Sequence, residues 1–341
     1  MRRGVLWLLC LCFAFVCARR EAPRTHLATF GGCSSSARLP AFVAEARRSG
    51  LFDSVRGYTL ADLPPAFTAR HADRLRPGVR GCGYWLWKPA VVGAELARMR
   101  DGDVLVYADS GSSLHPENCA AFWRYVRAAA AAPGAVVSFE MRAARVPVEA
   151  AWTKADAAEA LGLSLDGPAM SSPQLHATFF YVSACAASRS LVASWLALCE
   201  ARNGTLLDDT PSTAPNAACF IEHRHDQSLW SLLRKSAPGA AVVVPDDAGA
   251  GSGPIQATRC RTGAEPSCSL RYLKEAVWVV ARDTVGGYES REERAERAVC
   301  EAQPRRGFGT SPRKRRGVSA PMAVDVDARR ALGMGRDADV M

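Results

Sequence analysis

Between Thr25 and Arg282 short apolar runs alternate with stretches whose apolar residues recur at helical spacing. That alternation predicts an α/β fold of the Rossmann-like kind, a mostly parallel sheet flanked by helices. The expected strands are Thr25 to Phe30 (THLATF), which runs into Gly31-Gly32, then Asp103 to Asp109 (DVLVYAD), Ala135 to Glu140 (AVVSFE), His176 to Ser183 (HATFFYVS) and Ala240 to Pro245 (AAVVVP). Val104 to Tyr107 is continuously apolar, as a strand covered on both faces should be. Helices are expected between them. Pro89 suits a first helical position, Val92, Leu96 and Met99 continue the stripe, and Gly102 ends it. Ala121, Phe122, Tyr125 and Val126 form a second stripe stopped by Pro133-Gly134, and Ser188 to Arg202 a third through Leu191, Trp195 and Leu198. Thr153 with Asp156 resembles a capping box, and Asp226 stands where the helix through Leu229, Leu232 and Leu233 would be N-capped.

The two ends break this pattern. MRRGVLWLLCLCFAFVCARR carries an apolar run from Gly4 to Ala18 between arginines, short for a bilayer span and suited to a signal peptide, with a retained signal anchor as the alternative. Residues 1–18 are therefore expected to direct the chain into the secretory pathway, to the ER or Golgi lumen or outside the cell. Residues 25–282 form the catalytic domain of this reading. The net charge of +9 is concentrated in PRRGFGTSPRKRR, and residues 303–341 read as a disordered basic tail. No aromatic interleaving or groove-binding motif accompanies the tail, so no nucleic-acid partner is expected, and a membrane partner only if the leading segment is retained. Of the 12 cysteines, Cys10, Cys12 and Cys17 lie in the leading run; the others contain no CxxC pair, which argues against a zinc cluster, and Cys260 with Cys268 is the shortest possible disulfide loop. Asn203-Gly204-Thr205 is a glycosylation sequon, relevant in a secretory compartment.

Three segments concentrate chemistry. Asp109, in YADSG, lies just past the carboxyl end of a buried strand, the edge at which open α/β sheets bind ligands, and is equally a residue that starts turns. EHRHDQS (Glu222 to Ser228) sets His223 and His225 on one side of an extended segment, with Asp226 either a plain cap or a rigid general base. RGCGYWLWKP (Arg80 to Pro89) gathers Tyr84, Trp85, Trp87 and Lys88 after Gly81 and Gly83. Read as extended, it points Trp85 and Trp87 the same way, away from Tyr84; the tryptophans are either ligand walls or core, and Lys88 either meets a phosphate or reaches solvent.

These segments, with DLPPAFTARHADRL (Asp62 to Leu75) and AWTKAD (Ala151 to Asp156), resemble in order and rough spacing a family of glycosyltransferases related to those with a nucleotide-diphospho-sugar (GT-A) fold. The resemblance covers roughly Leu27 to Lys235. It implies transfer of a sugar from a nucleotide-diphosphate donor to a hydroxyl on a glycan, protein or lipid acceptor, assisted by a divalent metal, Mn2+ or Mg2+, at Asp109. Gly111 stands where such a motif usually has its second aspartate, so a histidine, water or the donor phosphates would complete the coordination, or no metal is used. Donor contacts are expected from Tyr84, Trp85, Trp87, Lys88, Asp109 and Gly111, acceptor or sugar contacts from Trp152, Lys154, His223, His225 and Gln227, and the catalytic group is Asp226. Gly111 also favours a rival reading, a secreted carbohydrate-binding protein of the same fold without turnover. A protein that binds anionic polymer through Arg305 to Arg316 is a second rival. No GxSxG elbow and no GxxxxGK loop is present, which leaves a serine hydrolase or P-loop enzyme without its motif.

Overall fold

The computed structural model describes residues 23–33, 37–131, 136–141, 148–236, 241–245 and 253–258. The leading apolar run, the basic tail and the Cys260–Cys268 pair lie outside them.

The central sheet has six strands in the order β2-β1-β3-β6-β5-β7. They are β1 (Thr25–Phe30), β2 (Ser54–Tyr58), β3 (Val104–Ala108), β5 (Val136–Glu140), β6 (Phe179–Ser183) and β7 (Ala241–Pro245). β4 (Ser113–Leu114) and β8 (Ile255–Gln256) form a small antiparallel pair beside it. β1, β2 and β3 are parallel, as are β5 and β7, while β6 runs against both β3 and β5. The result is the mostly parallel, helix-flanked, Rossmann-like sheet expected from the sequence, with one reversed strand. The reversal has a simple cause. The chain leaves β5 at the carboxyl edge and re-enters β6 from that same edge, where Ala108 at the end of β3 faces Phe179 at the start of β6.

Alternation along the strands sorts the core into two layers. Leu105, Tyr107, Phe180 and Val182 face the helices Trp87–Leu96, Ala186–Glu200 and His225–Ser236, meeting Val92, Trp195 and Trp230. Val104, Val106, Phe139 and Tyr181 face the helices Leu39–Ser49 and Cys119–Ala131, meeting Phe42, Phe122 and Tyr125. β2 escaped the sequence pattern because SVRGY is an edge strand with exposed polar positions. Among the described residues, no helix is long and apolar enough to cross a membrane.

Two expected caps are not formed. The Thr153 hydroxyl donates to Glu149 at 2.5 Å, whereas the Asp156 carboxylate accepts from the backbone N–H groups of Thr213 and Ala214 and from the Thr213 hydroxyl. Asp226 lies inside the first turn of its helix, one residue past the start at His225, rather than at the capping position, and its carboxylate faces Lys88.

A candidate active site at the carboxyl edge of the sheet

The local backbone around GCGYW is not extended. Gly81, Cys82, Gly83, Tyr84 and Trp85 all have positive φ, between 53° and 95°, and form one left-handed turn ahead of the helix Trp87–Leu96. Non-glycine residues adopt this conformation at a cost of about 1 kcal/mol or more each. Glycine is required at Gly81 on a second count: a Cβ there would lie 2.5 Å from the Trp85 ring. The turn is fastened from two sides. Cys82 is disulfide-bonded to Cys33, beyond the end of β1, and the Trp87 indole Nε1 donates to the Gly81 carbonyl at 3.0 Å.

This geometry separates the two tryptophans. Trp87 is buried at 5% exposure and stacks on Phe30 with ring centroids 3.8 Å apart, so it belongs to the core and is not placed for a donor. Trp85 instead lines an open cleft of about 370 Å3, solvent at its mouth included, and stacks on His225 at 5.5 Å. Tyr84 also packs on His225, with ring centroids 5.1 Å apart. His225 itself has φ 51°, so both partners of the stacked pair are held in left-handed backbone.

At the base of the cleft lies Lys88, with only 4% of its side chain exposed. Its Nζ is 2.8 Å from Asp226 Oδ2, 3.3 Å from Asp109 Oδ1 and 3.1 Å from the carbonyl oxygen of Ala177. The ammonium thus donates to one carbonyl and is ion-paired with two carboxylates. Asp109 is positioned by the end of β3 and by the buried hydroxyl of Tyr107, which donates to Oδ1 at 2.7 Å. It also opens a turn, its carbonyl accepting from Ser112 N–H, so the turn and the site use the same residue. Burial pulls the Lys88 ammonium down, but the two carboxylates outweigh it and the net shift is upward. Burial pushes Asp226 up to about 6 against the attraction of Lys88, and Asp109 adds to the rise. One cation shared by two carboxylates leaves the cluster an excess negative charge, which further disfavours the ionised form of the buried Asp226.

The remaining expected residues divide clearly. Gln227 lines the cleft, accepting from Ala177 N–H at 3.2 Å and donating to Gln174 at 2.8 Å. His223 is a buried neutral ring: Nδ1 accepts from Lys154 N–H and Nε2 donates to the Leu206 carbonyl at 2.9 Å, and burial holds its pKa well below the ordinary value. His225 donates from Nδ1 to the next carbonyl, Leu207, at 2.8 Å. The two rings do sit together, 5.6 Å apart. Lys154 is directed away from the cleft. Its ammonium gathers the carbonyls of Thr205, Asp208 and Thr210, and with Asp156 it pins the loop that carries Asp209 to the cleft's edge. Trp152 lies beneath the Arg224 guanidinium, whose central carbon is 3.5 Å from the ring centroid, and serves as a shelf for that arginine. Gly111 turns toward β8, its carbonyl accepting from Thr258.

Arg80, Thr178, Glu222 and Arg224 also line the cleft. Sequence reasoning passed over them and over Tyr107. Arg80 and Arg224 were visible as the basic members of two dense motifs, whereas Tyr107 reads as one more apolar strand residue. Arg80 reaches Asp209 at 3.3 Å and Glu222 at 3.6 Å across the mouth. Arg80, Lys88 and Arg224 thus face Asp109, Glu222 and Asp226 around one opening, with an aromatic wall at Trp85.

A divalent cation at Asp109 does not fit this donor set. The Oδ1 of Asp109 already accepts from Tyr107 and faces Lys88, both nitrogens of His223 are committed, His225 offers Nε2 alone, and the described residues contain no group of three or more His, Cys, Asp or Glu able to hold a metal.

The chain matches no protein-family model and no curated protein by sequence. Among solved structures it is similar to the crystal structure of mouse xyloside xylosyltransferase 1 in its apo form, at 15% identity and a TM-score of 0.37, over 66% of this chain and 86% of that one. A likeness at that level carries no functional argument, and the reading below rests on the site.

Proposed function

We propose that the chain is a glycosyltransferase that moves a sugar from a nucleotide-diphosphate donor to a hydroxyl acceptor. The observation that supports this reading is the buried Asp109–Lys88–Asp226 cluster at the carboxyl edge of the sheet, at the base of an open cleft with an aromatic wall. Plain structural ion pairing does not require an open cleft, two cationic side chains at its mouth, or an aromatic face held there in strained backbone.

The parts suit the reaction. In the transfer the bond between the anomeric carbon and the diphosphate oxygen breaks, and the nucleoside diphosphate leaves with the electron pair. The acceptor oxygen bonds to that carbon and gives up its proton. Lys88, Arg80 and Arg224 supply positive charge for the departing diphosphate. Trp85 offers a face for a base or a sugar ring. Asp226, pushed up to about 6 by burial, is ionised at neutral pH yet basic enough to accept the proton of an acceptor hydroxyl. Asp109, steadied by Tyr107, holds Lys88 from the other side.

The test is to incubate the full chain with a panel of nucleotide-diphospho-sugars and measure release of nucleoside diphosphate, alone and with simple sugar acceptors. Release with one donor, lost in Asp226→Asn, is the expected result. No release with any donor, from protein that binds free glycans, would replace the transferase with the carbohydrate-binding reading. A fold of this kind has entry to either role, and the same panel separates them.

A further inference from the structure

The three oxygens around Lys88 are a hard-cation set: two carboxylates from different elements and one backbone carbonyl, Asp109, Asp226 and Ala177, at 3.3, 2.8 and 3.1 Å. They are the ligands a divalent ion would seek, and an ammonium occupies their centre. Among the described residues no group of three or more His, Cys, Asp or Glu offers a replacement shell; His225 Nε2 is an uncommitted nitrogen at the cleft, 3.6 Å from Asp209, and by itself does not make one. Gly111 supplies no carboxylate and its carbonyl is taken by Thr258, and His223 has no free nitrogen. A divalent ion beside Asp109 would also sit next to a buried, charged Lys88, where like-charge repulsion is little screened.

We propose that the Lys88 ammonium is the resident cation of this cleft, in the place a divalent metal would take, and that the chain binds a nucleoside diphosphate without a metal ion. The inference rests on the transferase reading. The sequence and fold make the arrangement durable. Lys88 is the second residue of the helix Trp87–Leu96, and the disulfide-fastened left-handed turn before it fixes where the side chain starts. Its neutralisation by two carboxylates does not disqualify it, because a metal in a carboxylate clamp is compensated in the same way. Lys88 brings one charge where a divalent ion brings two, and Arg80 and Arg224 at the mouth make up the difference.

The experiment is calorimetric titration of the full chain with UDP, GDP, CDP and ADP, first in excess EDTA and then in saturating Mn2+, with electron paramagnetic resonance of Mn2+ in the absence of nucleotide. The expected result is one nucleoside diphosphate whose affinity changes by less than about threefold between the two conditions, and no protein-bound Mn2+ signal. Lys88→Ala frees both carboxylates and is expected to acquire a Mn2+ signal; Lys88→Met, folded by circular dichroism, is expected to lose nucleotide affinity roughly tenfold or more in EDTA. Binding that tightens more than about tenfold with Mn2+, and loses that gain in Asp109→Asn, overturns the inference and leaves the transferase standing. Absence of nucleotide binding in both conditions overturns the inference and the transferase reading together.

Discussion

Replacing Asp226 by asparagine should separate what the residue does for the fold from what it does for the cleft. Asp226 is 4% exposed, and its pKa rises from 3.8 to about 6, with burial the leading cause. A carboxyl that holds its proton more tightly when folded favours the fold at low pH. Below about pH 4 both states are protonated and the contribution is complete; between about pH 4 and 6 the folded state keeps a proton that the unfolded chain has released, so stability falls as pH rises. Above about pH 6 the loss is complete, and a rise from 3.8 to about 6 corresponds to on the order of 3 kcal/mol. Asparagine has the same shape, can still accept from Lys88, and carries no charge to desolvate. The stability difference between Asp226→Asn and the native chain should therefore shift in favour of the variant by about 3 kcal/mol from pH 4 to pH 8, while transfer is lost. Urea denaturation followed by tryptophan fluorescence across that range, with donor turnover measured in parallel, reads both. A difference that stays constant with pH within about 1 kcal/mol would refute the account of Asp226 as a desolvated acid retained for function.

Other outcomes follow from the same geometry. Trp87→Ala, which empties the stack on Phe30, should cost about 3–5 kcal/mol of stability in thermal or chemical denaturation. Trp85→Gly relieves a positive-φ residue, so stability should change by about 1 kcal/mol or less, while nucleoside-diphosphate affinity measured by calorimetry falls about tenfold. Equal destabilisation by the two substitutions would contradict the separation of core and cleft. Tyr107→Phe removes the hydroxyl that orients Asp109 and should cost about 1–2 kcal/mol, with a lower turnover number at saturating donor. An unchanged turnover number would make that hydroxyl purely structural. Removing the Cys33–Cys82 disulfide by a paired substitution to serine, across a separation of 49 residues, should cost up to about 4 kcal/mol of unfolded-chain entropy. It should also weaken nucleotide binding by loosening the turn that carries Trp85.

Much of the frame was legible because it depends on local pattern. β1 has the limits the sequence suggested, and β3 and β5 differ by a residue at one or both ends, since continuous apolar runs bounded by polar residues have few alternatives in a helix-covered sheet. The placement of Asp109 at a strand end and of Asp226 at a helix start was also readable from spacing. What could not be read is what each side chain would meet. Extended geometry predicted that Trp85 and Trp87 share a face; five consecutive positive-φ residues and a disulfide to Cys33 send one to the cleft and the other to the core. No sequence period announces a left-handed turn, because its cost is offset by tertiary contacts rather than by its own residues. Lys154 and Trp152 likewise look like ligand residues in the chain and prove to hold a loop and an arginine. The sequence by itself determined which residues form strands and helices and which ionisable groups gather in its motifs, because those follow from periodicity and local propensity. Only the tertiary structure decided that Lys88 lies between Asp109 and Asp226, and with it the charge of the cleft, because a buried ion pair exists only once distant segments are packed and water is excluded.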